Sequence, residues 1–354
     1  TYGRKIPFWQ NLLRHNLNDS YWERSNFQDD LESLTIPVFL QGGWFGASSV
    51  GLKHNYAHLR VSESPYVKLV IGPWEHSDGA FTPMGGNDLG ESAPVELYEL
   101  FRRWFDFWLR EAENGITAEP AVQLYTLNLD RWLTAETYPL PGTSYAELHL
   151  ASEDSARVSG RLMPQPPDSG AEFDGYLYDP GDPTPPLWLG APIPYGELSK
   201  PRKDILVYDT EPLEDTLYVA GPVSLVLYAS TSASDTDWFA YWRILESDGE
   251  ERVMGGGGLR ARFRDSWSRP ALLEESRIYE YTLDLSHVSV MIPSGARIRL
   301  EIASAAYPWF SRNLNTGGHN ELETEYVVAE QRIYHSEAYP SRLILPLVER
   351  QQYE

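Results

Sequence analysis

The sequence predicts a mixed α/β part followed by an all-β sandwich or jelly roll. Two short apolar runs, at 36–40 and 67–71, enclose a helical segment, which is the order strand, helix, strand. After Gly115 the pattern changes to many short strand-like runs separated by Gly, Pro, Asp and Ser. A chain of 354 residues also exceeds one ordinary domain. We therefore predict a first domain over residues 1–117 and a second over 118–354.

The first part is predicted to begin with short helices over residues 1–35. The run Ile36–Leu40 ends in a glycine pair, and Val67–Ile71 ends in Gly-Pro. Continuous apolar runs of this length are typical of strands that are buried on both faces. The helical spacing between them predicts a parallel pair joined by a crossover helix. A further amphipathic helix is predicted at 95–111, with an inner face of Leu97, Leu100, Phe101, Trp104, Phe105 and Trp108.

The second part contains strand-like runs with period-two alternation, as in the segments at 121–127, 146–152 and 297–304. One stretch, at about 160–204, is rich in Pro and Gly. Proline removes a backbone donor, so we expect neither a regular helix nor a central strand there. We expect an ordered surface excursion instead.

The composition limits the class of protein. The formal net charge is −22, which disfavours nucleic acid and anionic membranes as partners. The chain has no Cys, so disulfides, thiolate metal sites and a Cys nucleophile are excluded. No apolar run approaches transmembrane length, and we expect a soluble, cytoplasmic protein without cofactor or metal. Since the sequence starts without Met and in mid-pattern, we expect a processed or truncated piece.

His76 is the first residue suited to chemistry. It follows the second apolar strand by about five residues, in the segment LVIGPWEHSDG. Active sites of open α/β sheets lie at the carboxyl ends of strands. A histidine there suits general base catalysis, because its pKa lies near neutrality. The alternative is an ordinary surface or capping histidine.

The turn after the first strand, GGWFGASSVG, lies at the same edge of the predicted sheet. A carboxylate in this turn would orient an imidazole and stabilise its charged form. The sequence offers none, because position 46 is Gly. Glu75 and Asp78 are the nearest acids, but they flank His76 too closely to point at one of its ring nitrogens.

Ser48 in the same turn is a weak candidate nucleophile. The pattern GASSVG is one residue longer than the G-x-S-x-G elbow of serine hydrolases. The stronger interpretation of Ser48 is an N-cap for the following helix.

Three further motifs have structural interpretations that we prefer. Asp235 and Asp237 offer oxygens to calcium, but a polar turn before a strand fits better. The four glycines at 255–258 lack the Lys-Ser/Thr of a phosphate loop and predict a bulge or tight hairpin. The loop 312–318 carries Asn313, Asn315 and Thr316 for structural hydrogen bonds or a ligand.

An ordered set of segments resembles the CocE/NonD hydrolase family, which includes cocaine esterase, α-amino-acid ester hydrolases, glutaryl acylases and X-prolyl dipeptidyl-peptidases. The resemblance runs nearly end to end, although no single segment is decisive. The segments include DSYWERS, IPVFLQGGWFG, KLVIGPWEHS, RRWFDFWLR, VQLYTLNLDRW, YDPGDPTP, VAGPVSLVLYASTSASDTDW, GGLRARFRDS and RIRLEIASAAYPWFSRNLNTG.

The resemblance implies the C-terminal part of an α/β-hydrolase domain with cap helices, followed by a β jelly roll. It implies a Ser-His-Asp triad in which His76 matches the histidine of the GPW-x-H motif. Gly46 stands where the family carries its triad Asp. The nucleophile elbow precedes the matched region in the family. The acidic cluster that binds a substrate α-ammonium in some relatives has no counterpart after Gly46.

Two hypotheses follow from this resemblance. The first is a part of a serine acyl hydrolase that acts on small esters or amides together with an N-terminal hydrolase polypeptide carrying the Ser. The second is a catalytically inactive relative that serves in binding or assembly through its jelly roll. A third and lesser possibility is a variant of the first, in which unpaired edges of the sheet pair with each other and the chain forms a homo-oligomer.

Overall fold

The computed structural model describes residues 6–46, 48–74, 97–152, 159–167, 171–187 and 202–349. The α-helices of this part are α1 (Pro7–Arg14), α2 (Ser20–Glu23), α3 (Ser49–Leu59) and α4 (Leu97–Arg110). Short 3-10 segments span Asp29–Ser33, Ile116–Ala118 and Ala261–Phe263. No helix in these ranges combines the length and the apolar character needed to cross a membrane.

The strands are β1 (Val38–Gly43), β2 (Val67–Gly72), β3 (Val122–Thr126), β4 (Arg131–Ala135), β5 (Ser144–Ala151), β6 (Ser159–Met163), β7 (Phe173–Tyr178), β8 (Leu206–Asp209), β9 (Leu217–Thr231), β10 (Asp237–Leu245), β11 (Glu251–Arg260), β12 (Tyr279–Ile292), β13 (Arg297–Ala303), β14 (Ala329–Tyr334) and β15 (Arg342–Leu347).

The first sheet has the strand order β1-β2-β3-β4. Strands β1 and β2 are parallel, with Val38 opposite Val67 and Gly43 opposite Gly72, and α3 connects them. The predicted parallel pair with a crossover helix is therefore confirmed. Strand β3 adds parallel to β2, and β4 returns antiparallel to β3. In the described part of the chain, β2 is the only strand that pairs with β1, so the far side of β1 is an open edge.

The second sheet has eleven strands in the order β11-β10-β13-β8-β6-β5-β15-β9-β14-β7, and β12 pairs with β9. The sheet folds over on itself as a sandwich. Trp238 of β10 packs against Tyr281 of β12 with the ring centroids 5.9 Å apart. Both rings are fully buried, because alternate side chains of facing strands fill the space between the layers. The predicted jelly-roll class is confirmed.

The Pro- and Gly-rich stretch differs from the prediction. Residues Ser159–Met163 form β6, which lies between β5 and β8 inside the sheet. Residues Phe173–Tyr178 form β7 at the sheet edge beside β14. The expectation of no central strand at 160–204 was wrong for β6, because the prolines at 164, 166 and 167 fall in the loop after the strand. The prediction averaged the proline content over the whole stretch, although the runs that form β6 and β7 contain no proline.

Helix α4 follows the predicted bounds closely, but its inner face is narrower than the apolar spacing indicates. Leu97, Leu100 and Trp104 are buried. Phe105, which was predicted to face inward, has 56% of its surface exposed. The helix stops at Arg110, and Glu111 takes a positive φ of 56°.

The two sheets meet directly. Leu127, just after β3, pairs with Val290 of β12, and its N–H donates to the Ser289 carbonyl at 2.9 Å. Strands β3 and β4 lie in the first sheet although they follow residue 117. The division of domains at 117 stays a prediction. One continuous apolar core reaches from β1 and β2 into the jelly roll.

Candidate active site

The carboxyl ends of β1 and β2 continue to pair beyond the strands. The backbone N–H of Trp44 donates to the Gly72 carbonyl at 3.0 Å, and the N–H of Phe45 donates to the Trp74 carbonyl at 3.2 Å. These bonds hold the turn after β1 against the segment that leaves β2. The two segments singled out from the sequence therefore lie side by side, at the edge where open α/β sheets carry their sites.

Glycine at both strand ends leaves room for Trp74, whose backbone approaches Gly43 and whose indole approaches Gly72. A Cβ on Gly43 would lie 1.9 Å from the Trp74 carbonyl oxygen. A Cβ on Gly72 would lie 2.4 Å from the indole of Trp74. A side chain at either position would displace Trp74 from its place beside the turn. The glycines thus fix the distance between the two sides of the candidate site.

Gly46 is buried in this turn. Its N–H donates to the Gly43 carbonyl at 3.1 Å, and its carbonyl accepts from the Ser49 N–H at 2.9 Å. The position that the family resemblance assigns to the triad acid therefore has an ordered backbone but no carboxylate. His76, Glu75 and Asp78 lie outside the described residues, which end at Trp74 on this side. The role of His76 accordingly stays a prediction.

Ser48 differs in detail from the prediction. It occupies the position before α3, but its backbone is helical, with φ −88° and ψ −1°, and its side chain makes no capping hydrogen bond. An N-cap residue normally has extended dihedrals so that its side chain can reach the free N–H groups of the first turn. Ser48 therefore takes the predicted N-cap position, but its side chain does not cap the helix.

The serine that does pair with a histidine is the next one. Ser49 Oγ lies 2.6 Å from Nε2 of His287, and Nδ1 of the same ring lies 3.0 Å from the Tyr138 hydroxyl. Trp44 packs edge-on against the imidazole with the ring centroids 5.2 Å apart. Sequence reasoning missed this cluster because 238 residues separate Ser49 from His287. No local pattern links a lone histidine on a strand to a serine so far away.

The electrostatics of this cluster exclude a catalytic pair of the serine-protease kind. Ser49 and His287 are 2% and 1% exposed, so substrate has no access to them. Burial, reinforced by the nearby Lys53 charge, lowers the pKa of His287 to about 3. A base this weak does not activate a hydroxyl at neutral pH. The neutral ring instead bonds through both nitrogens and joins α3 and the loop after β4 to strand β12.

The other sequence motifs are occupied by structural bonds. Asp235 accepts from Arg262 at 2.7 Å, and Asp237 accepts from Arg260 at 2.9 Å. Asn313 donates to both carboxylates, at 2.7 and 2.8 Å. In the part of the chain that the structure describes, no group of three or more His, Cys, Asp or Glu side chains is placed to hold a metal ion. The polar-turn interpretation of Asp235 and Asp237 fits these contacts.

The loop 312–318 and the four glycines also have structural roles. The Asn315 amide donates to the Val327 carbonyl at 2.7 Å, and the Thr316 hydroxyl donates to Glu323 at 2.9 Å. The glycine run continues β11 as a strand. The expected bulge lies directly before the run, where β11 holds one residue more than β10 between Val253 and Gly255.

Two family models match most of the chain. The X-Pro dipeptidyl-peptidase C-terminal non-catalytic domain matches residues 114–344. The X-Pro dipeptidyl-peptidase S15 family matches residues 1–78. The second match covers β1, α3 and β2, and it therefore includes the turn with Gly46 and the segment with His76.

Individual relatives agree with these matches. The chain is 31% identical to cocaine esterase from Rhodococcus sp. strain MB1 Bresler, over 98% of this chain and 63% of that protein. It is similar to the crystal structure of an aminopeptidase from the marine sediment archaeon Thaumarchaeota archaeon, with a TM-score of 0.84 and 26% identity over 97% of this chain and 60% of that one.

A CocE/NonD family hydrolase from Staphylococcus aureus shares the fold, with a TM-score of 0.69 and 18% identity over 97% of this chain and 59% of that one. The chain thus spans about three fifths of the length of these relatives.

Proposed function

We propose that this chain, which belongs to the CocE/NonD hydrolase family, forms the C-terminal part of a serine acyl hydrolase that cleaves small esters or amides. His76 is the general base in this proposal. The observation that carries it is the parallel β1–β2 pair, whose carboxyl ends are bonded together from Trp44 to Trp74. Trp74 lies at the edge of the sheet where such sites are found, and His76 follows it by two residues in the sequence.

The nucleophile in this proposal is a serine on an N-terminal hydrolase polypeptide. The open edge of β1 supports such a partner, because an unpaired strand presents free N–H and C=O groups to another strand. The serine oxygen attacks the substrate carbonyl while His76 takes its proton. The imidazolium then protonates the leaving group, and water hydrolyses the acyl-enzyme by the same route.

Gly46 limits the rate in this mechanism. A triad histidine whose ring no carboxylate orients can adopt the wrong tautomer. In a serine protease the loss of the orienting acid lowers kcat by about 10⁴. The proposal therefore predicts slow turnover.

The test uses the full-length protein, including the polypeptide that precedes this segment. A fluorophosphonate probe should label its serine, and p-nitrophenyl esters and X-Pro p-nitroanilides should be turned over. His76→Ala should abolish labelling. His58→Ala, which removes a partly exposed ring that pairs with Glu32, is the matched control and should leave labelling intact. Labelling that persists in His76→Ala would refute the role of His76.

Absence of a carboxylate at Gly46 favours a second candidate, a non-catalytic binding role for the jelly roll. The family model that matches 114–344 is itself described as non-catalytic. Calorimetry of the full-length protein with peptides and glycans would test this role. Binding without any hydrolysis, unaltered in His76→Ala, would support it over the hydrolase. Self-association through the β1 edge is a separate expectation, which light scattering would measure.

A further inference from the structure

Strand β12 carries a bulge where it passes the first sheet. Asp284 pairs with Ser224, but the next pair joins His287 to Pro222, so β12 holds one residue more than β9. Ser286 in the bulge has a φ of 74°, a left-handed conformation that is costly for a residue with a side chain. The bulge redirects the strand, and His287 is the side chain that follows it.

The glycine run of β11 makes room for this bulge. A Cβ on Gly257 would lie 2.0 Å from the Asp284 carbonyl oxygen, and one on Gly255 would lie 2.4 Å from that of Leu285. Both contacts are to backbone atoms, which do not swing aside as a flexible side chain does. The glycines are therefore needed for the bulge to have this position, and the bulge is needed for the position of His287.

His287 connects the jelly roll to the start of α3. Its Nε2 contacts Ser49 Oγ at 2.6 Å, and the Ser49 N–H donates to the carbonyl of Gly46 at 2.9 Å. Lys53, one turn further along α3, pairs with Asp284 and donates to the Ser286 carbonyl at 3.2 Å. Two residues of α3 are thus bound to the bulge, and the first of them also closes the turn that contains position 46.

We infer that His287 is a positioning residue for the candidate active site: through Ser49 it fixes the turn with Gly46 against the jelly roll. This inference rests on the proposed function for its catalytic consequence, but its structural consequence can be measured without any activity. The side chain acts through the turn and does not touch substrate.

The two ring nitrogens allow a sharp test. The amide of Gln places a polar atom near Nε2 and retains the contact with Ser49. The amide of Asn places one near Nδ1 and retains the contact with Tyr138 instead. Both variants lose one buried hydrogen bond, so their stability losses should be similar. Only His287→Asn should release the turn.

Hydrogen exchange of the full-length protein, followed by mass spectrometry of peptides covering 44–52, is the activity-independent measurement. We expect His287→Asn to lose at least ten-fold in protection there, and His287→Gln to lose less than three-fold. His149→Gln, a change at another buried histidine of the jelly roll, is the control and should leave these peptides unchanged. Equal protection of 44–52 in the Asn and Gln variants would overturn the inference.

The kinetic measurement separates this inference from the proposed function. If the wild-type protein hydrolyses an aryl ester, His287→Asn should lower kcat by about ten-fold or more with little change in KM, and His287→Gln should lower it less. An unchanged kcat in the Asn variant contradicts the positioning role. Absence of wild-type turnover contradicts the hydrolase proposal instead, and the exchange experiment still decides the inference.

Discussion

The buried imidazole of His287 should make the protein less stable in acid by an amount that can be worked out. An unfolded histidine has a pKa near 6.5, whereas burial lowers the pKa of His287 to about 3 in the folded protein. Between these values the unfolded chain binds a proton that the folded chain does not, so the free energy of unfolding falls as the pH falls. Each pH unit within this window costs about 1.4 kcal/mol.

From pH 7.5 to pH 5.0 this one group should therefore remove about 2 kcal/mol of stability. The variant His287→Gln has no proton to take up. At pH 7.5 it should be less stable than the wild type by about 1–3 kcal/mol, because the Tyr138 hydroxyl loses its buried partner. At pH 5.0 the difference should shrink by about 2 kcal/mol.

Urea unfolding of both proteins at the two pH values measures this difference. The contributions of the other titrating groups to the pH dependence cancel, because both proteins contain those groups. The charged or titratable groups that act on the ring are Lys53 and His54 of α3 and Tyr138. Asp284 of the same strand pairs with Lys53. Tyr138→Phe is the control, since it removes a hydroxyl but keeps the imidazole, and its deficit should stay nearly constant with pH. A deficit of His287→Gln that does not change between pH 7.5 and 5.0 would refute the reasoning.

Three further predictions concern packing, a buried charge and the missing acid. Gly257→Ala should destabilise the protein by about 2–3 kcal/mol, because its Cβ would clash with the backbone of β12. Gly51→Ala on α3, where a Cβ meets nothing within 4 Å, should stabilise the protein by up to about 1 kcal/mol. Equal thermal midpoints of the two variants would contradict this. Lys68→Met should change stability by less than about 2 kcal/mol in urea, because burial lowers the pKa of this lysine and its partner Glu119 keeps a second ion pair with Arg103. A loss above about 4 kcal/mol would contradict that. Gly46→Asp should raise the kcat of the full-length hydrolase at least ten-fold, and no gain with His76 intact would argue against the triad.

The fold was predictable to the extent that local patterns determine it. The apolar runs at 36–40 and 67–71, each stopped by glycine, were sufficient to predict parallel strands with a crossover helix. Local patterns failed where composition was averaged over a long window, as for β6 within the proline-rich stretch. They failed also for Phe105, whose helical spacing indicated burial although α4 buries only a narrow stripe.

The candidate site was predictable only in part. Resemblance located Gly46, and the structure places the turn that contains it beside Trp74. The resemblance gave no indication of the Ser49–His287 contact, which joins α3 to a bulge in a strand of the other sheet. A contact of this kind depends on how two sheets pack, and sequence periodicity describes each sheet separately. The glycine run at 255–258 was noticed, but its reason, the close approach of β11 to the bulge, required the structure.

These contacts decide how a result at position 46 should be understood. The Gly46 backbone is held on one side by Gly43 and on the other by Ser49, and Ser49 is held in turn by His287. A side chain added at position 46 would therefore enter a turn that is already fixed, and it would not need to order the turn itself. If Gly46→Asp leaves the protection of 44–52 intact and still gives no turnover, misplacement of the backbone is not the reason. The absent activity would then reflect the chemistry of the site, and the binding role would be the better account of the chain.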